Sequence, residues 1–129
     1  MENVSIEGTD RNPKVEFDYA SSRFSLGGYS YPENVKEFYG PIMDPLFDYL
    51  DDLKGGQVQF EFAFHYFHSS SAQVLYTLFD KLEGCASRGI RVSVTWHYET
   101  DDDAMEEAGE DFSEEAEHVD FAMREMEPT

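Results

Sequence analysis

Between Gln57 and His97 the alternation of apolar and polar side chains alone writes out two strands and a helix. Val58, Phe60, Phe62, Phe64 and Tyr66 alternate with Gln57, Gln59, Glu61, Ala63 and His65, a period of two that predicts a strand with one apolar face. After three consecutive serines the period changes. Val74, Leu75, Leu78, Phe79, Leu82, Cys85 and Ala86 fall three and four apart as far as Gly89, which predicts an amphipathic helix. Ile90, Val92, Val94 and Trp96 then alternate with Arg91, Ser93, Thr95 and His97. Strand, helix and strand in this order predict a βαβ unit whose strands run parallel. The second face of both strands is built from Gln, Glu, His, Arg, Ser and Thr, whereas strands covered on both faces read as continuous apolar runs. The expected fold class is therefore α/β, a mixed β-sheet with helices packed mainly on one face.

The flanking segments extend this pattern. Val4 and Ile6 suggest a short first strand. Val15, Phe17 and Tyr19 predict a second, which turns at Ala20 to Ser22 and returns through Phe24 and Leu26 to Gly27 and Gly28, as in a hairpin. The segment from Tyr29 to Asn34 is expected to open a helix whose stripe is Val35, Phe38, Tyr39, Ile42, Leu46, Tyr49, Leu50 and Leu53. Pro41 and Pro45 interrupt its interior. Because the stripe keeps its phase across both, one kinked helix is preferred over two short ones. Gly55 and Gly56 close it. Residues 99–117 are dense in Asp and Glu and contain no Lys or Arg. A short helix capped by Asp101, Asp102 and Asp103 and an acidic flexible loop are both compatible with that segment, and Gly109 argues against one long helix. Val119, Phe121 and Met123 predict a last, edge strand.

Composition narrows the class. At 129 residues the chain reads as a single domain spanning residues 1–129, and an aromatic content of 16% argues against disorder. One cysteine, Cys85, allows no internal disulfide and no thiolate cluster. The opening Met1-Glu2-Asn3-Val4 has neither the basic nor the apolar region of a signal peptide. No apolar run approaches the length of a membrane span, so a cytoplasmic protein is expected. The formal net charge of -19, from 28 acidic and 9 basic side chains, disfavours nucleic acid and anionic membrane as partners and favours basic protein surfaces.

Candidate chemistry is sparse. His65, His68, His97 and His118 lack helical metal-ligand spacing and a cysteine cluster. Two neighbouring parallel strands could bring His65 and His97 near each other on the polar face, and a small metal-binding enzyme built on them is the weaker alternative. There is no phosphate loop, dinucleotide fingerprint or nucleophile elbow. A non-enzymatic protein without cofactor or bound metal is expected. The run Ser69-Ser70-Ser71 stands at the strand–helix junction. One of the three is expected to cap the helix with its side-chain oxygen, a role that leaves the others spare. A phosphate there would meet unpaired N–H groups and the positive end of the helix dipole, and would add roughly two negative charges at pH 7.

Two stretches carry a resemblance. Ser30-Tyr31-Pro32-Glu33-Asn34, continuing through Phe38-Tyr39-Gly40-Pro41, and Phe64 to Leu75 resemble the SiaC family of bacterial regulatory phosphoproteins. The resemblance implies an anti-sigma-factor-antagonist (STAS-like) fold and a partner-switching function. In such a system a dedicated Ser/Thr kinase phosphorylates a threonine in an Asn-Thr-Ser-Ser run, and a PPM-type phosphatase reverses it. The unphosphorylated form binds and activates a diguanylate cyclase in biofilm regulation. Carried onto this chain, the phosphoacceptor is Ser69, with Ser70 and Ser71 as alternates. His68 stands in the asparagine position, and Gln73 where a basic residue is expected. The implied partner-binding residues are His68, Gln73, Tyr31, Glu33 and Asn34, facing a diguanylate cyclase or another signalling enzyme. A constitutive acidic adaptor without phosphorylation is the alternative reading.

Overall fold

The structure, a computed structural model, describes residues 2–127. Strands β1 (Val4–Ile6), β2 (Lys14–Asp18) and β3 (Arg23–Ser30) lead into α1 (Val35–Asp52). β4 (Gln57–Phe67), α2 (Ser69–Ser87), β5 (Arg91–Glu99), α3 (Asp103–Glu114) and β6 (Asp120–Met126) follow. The six strands form one sheet in sequence order. β1, β2 and β3 are antiparallel neighbours, and β3, β4, β5 and β6 are parallel. The βαβ unit read from the sequence is thus one of three in succession. The edge position expected for the last strand is found at β6.

Register explains why the alternation was so clean. Val4, Phe17, Phe24, Phe60, Val94 and Phe121 are partners in turn across all six strands. Ile6, Val15, Leu26, Phe62, Trp96 and Met123 form a second such row. All three helices bury their apolar residues in the same core as this face. The other face carries Glu16, Ser25, Glu61, Thr95 and Ala122, none of them buried. Helices on one side and an open polar face on the other are what the alternation implied.

The single helix preferred over two short ones is found: α1 runs unbroken through Pro41 and Pro45, while other local readings are corrected. Each proline deletes one ladder hydrogen bond, but Tyr39, Ile42, Met43, Leu46 and Leu50 are buried on one stripe, and burial of that size, roughly 1.5–3 kcal/mol per large apolar side chain, keeps the helix whole. Tyr29 and Ser30 finish β3 and do not open the helix. Residues 103–114 are helical, with Gly109 buried in the helix interior rather than breaking it. There the missing Cβ has a use: a methyl group would collide with Trp96 Cδ1 and lie 2.8 Å from Met123 Sδ. Trp96 is further held by donating from Nε1 to the carbonyl of Met105 at 2.9 Å.

The most consequential departure is in β4. Gly28 pairs with Phe64, but the next residue, Tyr29, pairs with Tyr66. His65 is an extra residue in the strand, a β-bulge that shifts the phase of the last two positions of β4. Tyr66, expected on the apolar face, is 43% exposed, while Phe67 turns inward against Phe64 and Trp96.

Candidate functional site

The junction between β4 and α2 is tied to the rest of the fold by hydroxyl groups. Phe67 is the last residue of β4, opposite Ser30 at the end of β3. The His68 N–H donates to the Ser30 carbonyl at 2.9 Å, and α2 starts at the next residue. Ser71 is fully buried, and its hydroxyl donates to the same carbonyl at 3.0 Å. The Ser30 hydroxyl in turn donates to Ser71 Oγ at 2.8 Å. With those directions set, Tyr39 of α1 donates to Ser30 Oγ. Tyr39 to Ser30 to Ser71 to the Ser30 carbonyl is therefore a buried, fully used chain of donors, the condition for burying polar groups without loss. Burial pushes the Tyr39 phenol up to about 12, although its hydrogen bonds with Ser30 and Ser71 pull the other way. It remains a neutral donor at any physiological pH.

This arrangement sorts the serine run. The N-cap position belongs to His68, whose side chain makes no cap hydrogen bond, so the expectation of a serine cap is overturned. β4 ends at Phe67, opposite Ser30, and the helix begins at Ser69, one residue earlier than a Ser69 cap would require. Ser71 is spent inside the molecule. Ser69 and Ser70 are exposed, at a helix start where the Ser71 and Ala72 N–H groups already donate to the His68 carbonyl at 2.9 and 3.0 Å. Ser70 Oγ lies 3.5 Å from His68 Nδ1, the outer limit of a hydrogen bond.

The other expected partner-binding residues divide into two groups. His68 and Gln73 are exposed at the start of α2, and Gln73 stands four residues after Ser69, on the same helix face. Tyr31 follows Ser30, and its ring lies edge-on to Tyr66 with centroids 5.8 Å apart. The Arg11 guanidinium sits 5.3 Å from the centre of the Tyr31 ring and donates to the Tyr31 carbonyl. Glu33 and Asn34 instead border a separate open groove with Asn12, Pro32, Glu37 and Phe38. Asn34 is committed there as the N-cap of α1, accepting from the Glu37 N–H at 3.0 Å. Ser30 and Tyr39 were not singled out in the sequence as site residues, although both stand in the stretch that carries the family resemblance. Nothing in a linear pattern reveals that hydroxyls at positions 30, 39 and 71 meet.

On the open face His65 and His97 do not share a ligand. His65 Nδ1 pairs with Glu99 at 3.1 Å and His97 Nε2 with Glu61 at 3.2 Å. Among the described residues no three His, Cys, Asp or Glu side chains converge as a metal site, and no helix is long and apolar enough to cross a membrane.

A sheet open on one face, with two exposed serine hydroxyls where a strand passes into a helix, is the build of a small regulatory protein that works through the surface it offers. A family model described as SiaC family regulatory phosphoprotein matches residues 6–126. The chain belongs to the SiaC family. SiaC of Pseudomonas aeruginosa superposes with a TM-score of 0.86 at 28% identity, over 98% of this chain and 100% of that one. SiaC in a crystal structure with the diguanylate cyclase SiaD, of which it is the activator, superposes at 0.87 with 29% identity, over 95% and 99%. An uncharacterized protein of Pseudomonas aeruginosa strain UCBPP-PA14 is 32% identical over 117 residues, 89% of this chain and 90% of its own length.

Proposed function

We propose that this protein is the switch component of a partner-switching system. A cognate Ser/Thr kinase modifies Ser69 and a PPM-type phosphatase restores it. The unmodified form binds a signalling enzyme, with a diguanylate cyclase as the first candidate because the structurally similar SiaC activates one. The observation that carries the reading is the sorting of the three serines. Ser69 and Ser70 offer exposed hydroxyls on a helix start, that of Ser70 in no more than a long contact with His68, while Ser71 is buried and occupied. A kinase has access to the first two without unfolding anything.

A phosphate on Ser69 would change the junction in two physical ways. It would add roughly two negative charges to a protein already at -19. It would also supply an acceptor to a helix start that lacks a side-chain cap. Both act at the surface formed by His68, Gln73 and the neighbouring Tyr31, which is the proposed partner interface. Glu33 and Asn34 give the partner a second contact at their own separate groove. The protein acts in the cytoplasm, as a single folded unit and without a catalytic centre of its own.

The test is a pull-down from the native host with wild type, Ser69→Ala and Ser69→Asp as baits, combined with phosphosite mapping. Phosphate at Ser69, together with a signalling enzyme held by wild type and Ser69→Ala but lost from the phosphorylated form, supports the switch. The same partners for every form, with no phosphate at residues 69–71, would leave only a constitutive acidic adaptor.

A further inference from the structure

Between α2, α3 and β6 lies a pit of about 50 Å³ whose walls include Phe79, Phe112, Val119 and Phe121. The rings of Phe79 and Phe112 are 4.6 Å apart. Tyr76, 41% exposed, extends the aromatic surface, with its ring 4.9 Å from that of Phe112. The rim is acidic: Asp80, Glu83 and Glu115 border the same pit. Glu83 is already engaged, accepting from the N–H groups of Glu117, His118 and Val119 and paired with His118 Nδ1 at 2.8 Å. The carboxylates of Asp80 and Glu115 make no hydrogen bond or ion pair among the described residues. The single cation of α2, Lys81, is turned toward α1, where it pairs with Asp51 at 2.9 Å, and residues 99–117 contain no Lys or Arg.

We propose that this pit receives the guanidinium end of an arginine side chain from a basic protein partner, with the stem lying across the Tyr76 side of its mouth. A purely apolar guest would strip water from Asp80 and Glu115 and give them nothing in return. Arginine combines an apolar stem with a planar cation that stacks on aromatic rings and donates in pairs to carboxylates. The excess of acidic groups over the whole chain adds long-range attraction for such a partner. Ser69, Gln73, Tyr76 and Asp80 stand at spacings of four, three and four along α2, one face of the helix. A partner anchored in the pit therefore lies along the ridge that ends at the junction. The proposal does not depend on phosphorylation.

The test uses the intact unphosphorylated protein, labelled with nitrogen-15, and an acetylated and amidated Ala-Arg-Ala peptide as probe. The same peptide with citrulline, the neutral isostere of arginine, is the control. The arginine peptide is expected to move the amide signals of residues 76–83, 112–116 and 119–121, and the citrulline peptide to leave them in place. The double variant Asp80→Asn, Glu115→Gln, whose substitutions are exposed and isosteric, is expected to bind the arginine peptide roughly tenfold more weakly. Tyr76→Ala is expected to weaken it by a smaller factor. Shifts scattered over the acidic surface, equal shifts with citrulline, or unchanged binding by the double variant would overturn the assignment.

Discussion

The hydroxyl of Ser71 donates to the carbonyl oxygen of Ser30, 3.0 Å away and 41 residues earlier in the chain. That bond joins the end of β3 to the first turn of α2, and it separates a serine that holds the fold from two that face solvent. Replacing Ser71 by alanine strands the Ser30 hydroxyl in a buried site. The expected cost is about 1–3 kcal/mol, read as a lower urea midpoint. Ser69→Ala, at the surface, is expected to stay within about 0.5 kcal/mol of wild type. Equal effects of the two substitutions would contradict the sorting of the serines.

Tyr39→Phe tests the other end of the hydroxyl chain. Burial pushes the phenol up to about 12 in the folded protein, from about 10 when unfolded. The folded form therefore binds the proton more tightly, and its contribution to stability is complete below the unfolded value and is lost as pH rises through the folded one. Wild type should lose on the order of 2 kcal/mol between pH 10 and 12 from this group. The phenylalanine variant should lose correspondingly less. Chemical denaturation at several alkaline pH values measures the difference.

Gly109→Ala separates helix propensity from packing. In an isolated helix alanine is better by about 1 kcal/mol. Here the new methyl group meets Trp96 and Met123, and overpacking of this kind costs about 1–3 kcal/mol. The variant is expected to melt at a lower temperature than wild type, with loss of near-ultraviolet signal from Trp96 as the transition proceeds.

Glu83 gives an acid-side prediction. Burial pushes its pKa up, but the hydrogen bonds from His118, Glu117 and Val119 outweigh it, and the net shift is downward from 4.5. A depressed carboxylate contributes stability that is present above the unfolded pKa and is lost as pH falls through the folded one. Glu83→Gln keeps one oxygen acceptor but no charge. It should flatten the fall in stability below about pH 4.5 and loosen the turn before β6, seen as faster amide exchange at Glu117, His118 and Val119.

The sequence by itself determined the strands, their one-sided burial and the order of elements as far as β5, leaving helix or loop open for residues 99–117, because period two and period 3.6 survive wherever one face is apolar and the other wet. It also determined the family, through Ser30 to Pro41 and Phe64 to Leu75. Tertiary structure alone decided the rest. One extra residue at His65 turns Tyr66 outward and Phe67 inward, and a bulge is a mismatch between two strands that neither records alone. Gly109 is tolerated inside α3 because of Trp96 and Met123, which belong to other elements. The three serines read as equivalent because their neighbours along the chain hardly differ. They are made unequal by Ser30 and Tyr39, which reach Ser71 only when β3, α1 and α2 are packed together.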